Sequence, residues 1–195
     1  MPKYDDRFVN IRATDCAAWR EWLTENHRTS PGVWLVYYKV KCGKPSVRYS
    51  DAVKEALCFG WIDSKVKSLD EESYKQIFTP RKTKSVWSKV NKGYIEELTA
   101  QKLITEAGIA KIEAAKEDGS WNRLDAVEAL TIPADLAQAL AGDKIADAYF
   151  ASLSPSAKKA SLYRIESAKR LETKLKRIAE IVSLAAQNKR ANFDR

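Results

Sequence analysis

The sequence predicts an α+β fold: a small antiparallel sheet with flanking helices, followed by a C-terminal all-helical portion. Three observations carry that expectation. Residues 33–79 hold β-branched and aromatic runs broken by turn signals. From Val86 onward, apolar residues recur at the three- and four-residue spacing of helices. The chain of 195 residues is 45% apolar and 31% charged, enough to bury a core as one large domain or a domain with an appendage.

Asp15 is suited to cap a first helix running to about Asn26, with Trp19, Trp22 and Leu23 on one face. Ser30-Pro-Gly32 marks a turn, and Val33 to Val40 reads as a strand buried on both sides. Ser50 and Asp51 open a second helix carrying Ala52, Val53, Ala56 and Leu57, which Gly60 ends. Trp61 to Lys67 and Ser73 to Thr79 form a β-hairpin, with Ile62, Ser64 and Val66 as the apolar face of its first strand. Ser85 or Ser88 caps the next helix, marked by Val86, Val90, Tyr94 and Leu98; another runs from Ile104 to Lys116. Pro133 lies in the first turn of a helix through Leu140, and Ser154-Pro155 repeats that start signal. Leu171, Leu175, Ile178, Val182 and Ala185 give the seam of the last helix. These elements suggest an α+β domain over 1–120, a helical portion over 121–190 packed on it, and a frayed tail at 191–195.

The longest strongly apolar run, Val33 to Tyr38, is far short of the roughly 20 residues of a membrane helix. The N-terminus lacks the apolar core of a signal peptide. Cys16, Cys42 and Cys58 are odd in number and widely spaced, as reduced thiols of a cytoplasmic protein are. A single histidine, His27, and no CxxC pair argue against a structural zinc site, and no cofactor motif is present.

The net charge of +8 is uneven. Residues 1–95 hold 18 basic and 11 acidic side chains, 96–153 hold 5 and 11, and 154–195 hold 11 and 4. This pattern fits either basic ends docked on an acidic middle or a surface that attracts an anionic partner.

Residues 56–91 concentrate the candidate chemistry. Trp61 and Asp63 share one strand face, and a carboxylate beside an indole needs a partner, for which Arg81 is the expected cation. Arg81-Lys-Thr-Lys84 then leads toward a helix start, where cations oppose the macrodipole unless an anion sits among them. A ligand site is therefore expected from Trp61, Asp63, Arg81, Ser85, Trp87, Ser88 and Asn91. Asp63 as a lone general base is an alternative with no identified partner. A second surface, Lys158, Lys159, Lys169, Arg170, Lys174 and Arg177, is basic enough for nucleic acid, but docking on the acidic residues 125–147 is the favoured reading.

Three segments resemble the signature of the YdeI/OmpD-associated (bacteriocin-protection) family. They are Ala56-Leu-Cys-Phe-Gly-Trp-Ile-Asp63; Phe78-Thr-Pro-Arg81 with Ser85-Val-Trp-Ser-Lys-Val-Asn91; and Ile165-Glu-Ser-Ala-Lys-Arg170 with Glu172-Thr173 and Arg177-Ile178. In order, they span nearly the whole chain. The resemblance implies a bacterial cytosolic α+β protein linked to tolerance of bacteriocins or cationic antimicrobial peptides, without a defined biochemical activity. Against the family pattern, Lys82, Lys174 and Lys176 stand where arginines are common, Ser64 where Gly is, and Leu171 where Pro is. Lysine lacks the bidentate fork of arginine. A chain at +8 would repel a cationic peptide, so a small anionic ligand or an acidic protein partner fits the charge better. Oligomeric state is not legible from the residues.

Overall fold

The computed structural model describes residues 7–191. The strands are β1 (Asn10–Arg12), β2 (Val33–Tyr38), β3 (Trp61–Ser68) and β4 (Ser73–Pro80). They form one sheet in the order β1-β2-β4-β3, parallel between β1 and β2 and antiparallel elsewhere. The chain divides into two compact units, Met1–Trp121 and Asn122–Arg195. The sheet belongs to the first.

Central position explains why β2 is apolar on both sides. Val33, Leu35 and Tyr37 face a core with Trp19 and Leu23 of α1 (Cys16–Asn26) and Ala52, Val53, Ala56 and Leu57 of α2 (Tyr49–Cys58). On the other face, Trp34 packs with Phe8 and Ile77. Trp19, Trp61 and Trp87 are fully buried in the main core. Each such ring removes on the order of 200 Å² from water, an upper bound of about 5 kcal/mol of transfer free energy. As expected, Asp15 caps α1 by accepting from the Ala18 N–H at 2.9 Å.

Two helices, α3 (Lys89–Ala100) and α4 (Glu106–Glu117), complete the first unit. Backbone proximity fixes α4. The Cys58 carbonyl accepts from both the Thr105 N–H at 3.0 Å and its hydroxyl at 2.7 Å. A Cβ on Gly108 would lie 2.3 Å from that same carbonyl oxygen. Gly60, at φ +72°, turns the chain from α2 into β3, and a Cβ there would meet Lys111 and Ala107 of α4. Side-chain-free backbone at these two points lets α4 lie directly on the α2–β3 turn.

The second unit comprises α5 (Asp125–Glu128), α6 (Ala134–Ala141), α7 (Lys144–Ser152), α8 (Pro155–Glu166) and α9 (Leu171–Ala186). Its buried residues include Leu136, Leu140, Phe150, Leu162, Ile165, Ile178 and Ile181. Ser154 caps α8 with Pro155 at its first position, as the sequence signals.

Several expectations are corrected. The helix after the hairpin begins at Lys89, not Val86; Ser88 is its cap, accepting from the Asn91 N–H at 3.2 Å. Strand β2 stops at Tyr38, where Val40–Cys42 forms a 3₁₀ turn. The register of β3 shifts between Asp63 and Val66, which breaks the alternation and leaves Val66 exposed. In α9, Ile178, Ile181 and Ala185 are buried, whereas Leu171 and Leu175 are 69% and 50% exposed. Strand β1 and helices α5 and α7 were not expected. The anticipated tail at 191–195 lies, apart from Ala191, outside the described residues, as does most of the N-terminal segment read for a signal peptide.

Candidate functional site

Arg81 directly follows β4, and its N–H extends the hairpin ladder by donating to the Gly60 carbonyl at 2.9 Å. The ladder holds its backbone while the side chain turns inward, where only 2% of the residue is exposed. The guanidinium carbon sits 3.6 Å from the centre of the Trp87 ring. Nη1 donates to the Val86 carbonyl at 3.0 Å and to the Ser85 hydroxyl at 3.3 Å. Nε and Nη2 are buried and have no partner. Desolvation pushes the Arg81 pKa down to about 10, against a smaller upward pull from the charge of Asp63. The group is still a cation at neutral pH. A desolvated cation on an indole gains about 2 kcal/mol, and each unsatisfied buried donor costs about 1–3 kcal/mol.

A cavity of about 30 Å³ adjoins this side chain. Arg81, Lys84, Ser85 and Trp87 line it from one side, and Lys111, Asp118 and Ser120 line it from α4 and its end. Lys84 takes φ +59° and donates its N–H to Asp118 at 2.9 Å; Asp118 also accepts the Ser120 N–H at 2.9 Å. The Ser120 hydroxyl is buried and makes no hydrogen bond of its own. Its nearness, with those N–H donors, still holds the Asp118 carboxyl below its ordinary value. Trp121 closes the neighbourhood, its ring 4.9 Å from that of Trp87.

The structure thus brings together three of the seven expected ligand residues, Arg81, Ser85 and Trp87. Trp61 is buried elsewhere, its indole N–H donating to the His27 carbonyl at 3.2 Å and its ring set edge-on to Trp22. Ser88 and Asn91 form the start of α3. Asp63 accepts from the Tyr49 hydroxyl at 3.0 Å and the Gln76 amide at 2.6 Å. The expected Asp63–Arg81 ion pair is not formed among the described residues. Gln76 on the adjacent strand reaches the carboxylate, while Arg81 is drawn away onto Trp87. Nor do the cations sit at the helix mouth: four residues, Ser85 to Ser88, separate Lys84 from Lys89. Lys111, Asp118 and Ser120 were missed. The Asp-Gly-Ser sequence at 118–120 marks a turn at the last two but gives no sign of the cavity they line.

On the second unit, the expected basic surface is largely engaged internally. Lys159 pairs with Glu128 and Lys174 with Asp135, each at 2.6 Å. Arg177 donates to the Arg164 carbonyl and the Ser167 hydroxyl, and Lys158 to the Ala151 carbonyl. Lys169 and Arg170 are exposed. Among the described residues, no cluster of three or more His, Cys, Asp or Glu is placed to hold a metal, and no helix is long and apolar enough to cross a membrane.

Two family models match. Residues 11–111 match the model described as a domain of unknown function (DUF8412), and residues 129–188 match that described as bacteriocin-protection, YdeI or OmpD-associated. The first two motifs of the resemblance fall in the former match and the third in the latter. No curated protein and no solved structure matches the chain. With just over half its length in the first match, the chain belongs to the DUF8412 family, and residues 129–188, in its C-terminal helices, are similar to the bacteriocin-protection, YdeI or OmpD-associated family.

Proposed function

We propose that the N-terminal unit is a binding module for a small anion, received in the cavity beside Arg81, Trp87 and Ser120. The observation that carries this reading is the buried Arg81 guanidinium, held on Trp87 with two of its three nitrogens unpaired. A cation in that state destabilises the free protein, and an anion would offset the cost. Lys84 and Lys111 add positive charge to the lining, with Asp118 as its acid. The name of the family matched at 129–188 implies a part in bacteriocin protection. The net charge of +8 disfavours direct capture of a cationic peptide, so that role would run through the anionic ligand.

The test is a thermal-unfolding survey of small anions at fixed ionic strength, with Arg81→Met as the comparison. A ligand at about 100 times its Kd stabilises by about 2.7 kcal/mol. Stabilisation of the wild type and none of the variant supports the reading. If no anion separates the two proteins, it fails. Expression of the chain in a bacteriocin-sensitive bacterium, with and without Arg81→Met, then tests whether the site bears on survival.

A further inference from the structure

We infer that the anion is a carboxylate group, bound side-on by Arg81, and that only this head group enters the cavity. The inference rests on the anion-binding reading above and specifies its ligand class. It begins with which guanidinium atoms are unpaired. Nη1 is taken by Val86 and Ser85, and the two orphans are Nε and Nη2. The Nε N–H and one N–H of Nη2 lie on one edge of the planar guanidinium and point the same way. Together they form a fork that matches the two oxygens of a carboxylate or two oxygens of a phosphate. Trp87 lies over the face of the guanidinium. Stacking restricts its tilt, so the fork is held ready in one plane.

Size separates the two oxyanions. A cavity of about 30 Å³ has room for about two waters. The two oxygens and one carbon of a flat carboxylate are commensurate with that space. A tetrahedral phosphate needs two further oxygens, and the lining has Trp87, Ala115 and Ser120 buried around it. The lining also shows how it treats a carboxylate: Asp118 is held by the N–H groups of Lys84 and Ser120 and leaves Arg81 untouched. The Ser120 hydroxyl, buried on the lining with no hydrogen-bond partner but near enough to favour the Asp118 carboxylate, can turn from Asp118 to donate to the incoming group. A free small carboxylic acid and the C-terminus of a peptide both carry this chemistry.

Calorimetric titration at constant ionic strength tests it with acetate, inorganic phosphate, chloride, and an N-acetylated dipeptide as its free acid and as its C-terminal amide. Binding of acetate or the peptide acid without phosphate or the amide is the expected result. Peptide acid bound tighter than acetate assigns the carboxylate to a peptide end; equal binding assigns it to a free acid. Arg81→Lys keeps the charge but removes the fork, and should weaken binding at least roughly tenfold. Should Arg81→Lys fail to fold by circular dichroism, Ser120→Ala serves, with an expected loss of roughly threefold or more. Phosphate bound in preference to acetate overturns the carboxylate assignment and leaves the anion site standing. Binding to chloride alone, or undiminished binding in both variants, overturns the fork. No binding of any anion removes both readings together.

Discussion

The Arg81 guanidinium lies 3.6 Å from the centre of the Trp87 ring, with both residues buried. The two contribute oppositely to stability. Trp87 fills the core, so Trp87→Ala should cost about 3–5 kcal/mol through lost burial and a cavity. Arg81 brings a desolvated charge and two unpaired donors, so Arg81→Met, similar in length and apolar, should change stability by less than about 1 kcal/mol. Urea unfolding of the two variants measures this. An Arg81→Met loss as large as that of Trp87→Ala would mean that the guanidinium is structural, and the site reading would lose its basis.

Asp118 gives the cavity a pH signature. Its carboxyl is lowered from 3.8 by the nearby Ser120 hydroxyl and by the N–H groups of Ser120 and Lys84. A carboxyl depressed on folding contributes stability that is complete above the unfolded value and is lost as pH falls through the folded one. Wild type and Asp118→Asn should therefore differ most near neutrality and converge on acidification below 3.8. Urea midpoints followed by tryptophan emission from about pH 6 to about pH 2 would show it. A gap between the two proteins that persists unchanged to the acid limit would contradict the assignment of Asp118 as the anchor of Lys84.

The start of α3 discriminates between two serines that the sequence leaves equivalent. Ser88 accepts from the Asn91 N–H at 3.2 Å, while Ser85 accepts from Arg81 at 3.3 Å. Ser88→Ala should cost about 1 kcal/mol as a lost cap, and Ser85→Ala less. Thermal unfolding of the pair measures the difference, and equal losses would mean the helix start is not set by that side chain.

Those serines also show where sequence reading stops. Asp15 and Ser154-Pro155 were legible as caps because each serine or aspartate satisfies the N–H three residues on. Ser85 and Ser88 both precede an apolar pattern, and the choice depends on residues 85–87 staying outside the helix, with Trp87 buried and Ser85 and Val86 bound by Arg81. The basic loop and Trp87 could be nominated from residue type alone. Lys111, Asp118 and Ser120 could not, because they arrive through the docking of α4 on the glycine-relieved backbone at Gly60 and Gly108. Charge alone pairs Asp63 with the nearest cation, whereas Gln76, on β4 two residues from its register partner Phe78, reaches it instead.

That docking is itself testable at Gly108. The residue is buried within α4, and a Cβ there would lie 2.3 Å from the Cys58 carbonyl oxygen, closer than real contacts allow. Gly-to-Ala in a helix interior ordinarily stabilises by about 0.5–1 kcal/mol. Here the sign should reverse. The added methyl meets backbone, which cannot rotate aside, so Gly108→Ala should destabilise by about 1–3 kcal/mol as overpacking does. Separation of α4 from α2 would also carry Lys111 and Asp118 away from Arg81, so the anion-dependent stabilisation should fall with it. Gly93, in α3, is the control: a Cβ there would meet nothing within 4 Å, so Gly93→Ala should gain the ordinary helix increment. Urea unfolding of both variants, with and without acetate, measures the two effects together. Equal stabilisation by both alanines would show that α4 stands off from α2 and that the cavity is not built by their contact.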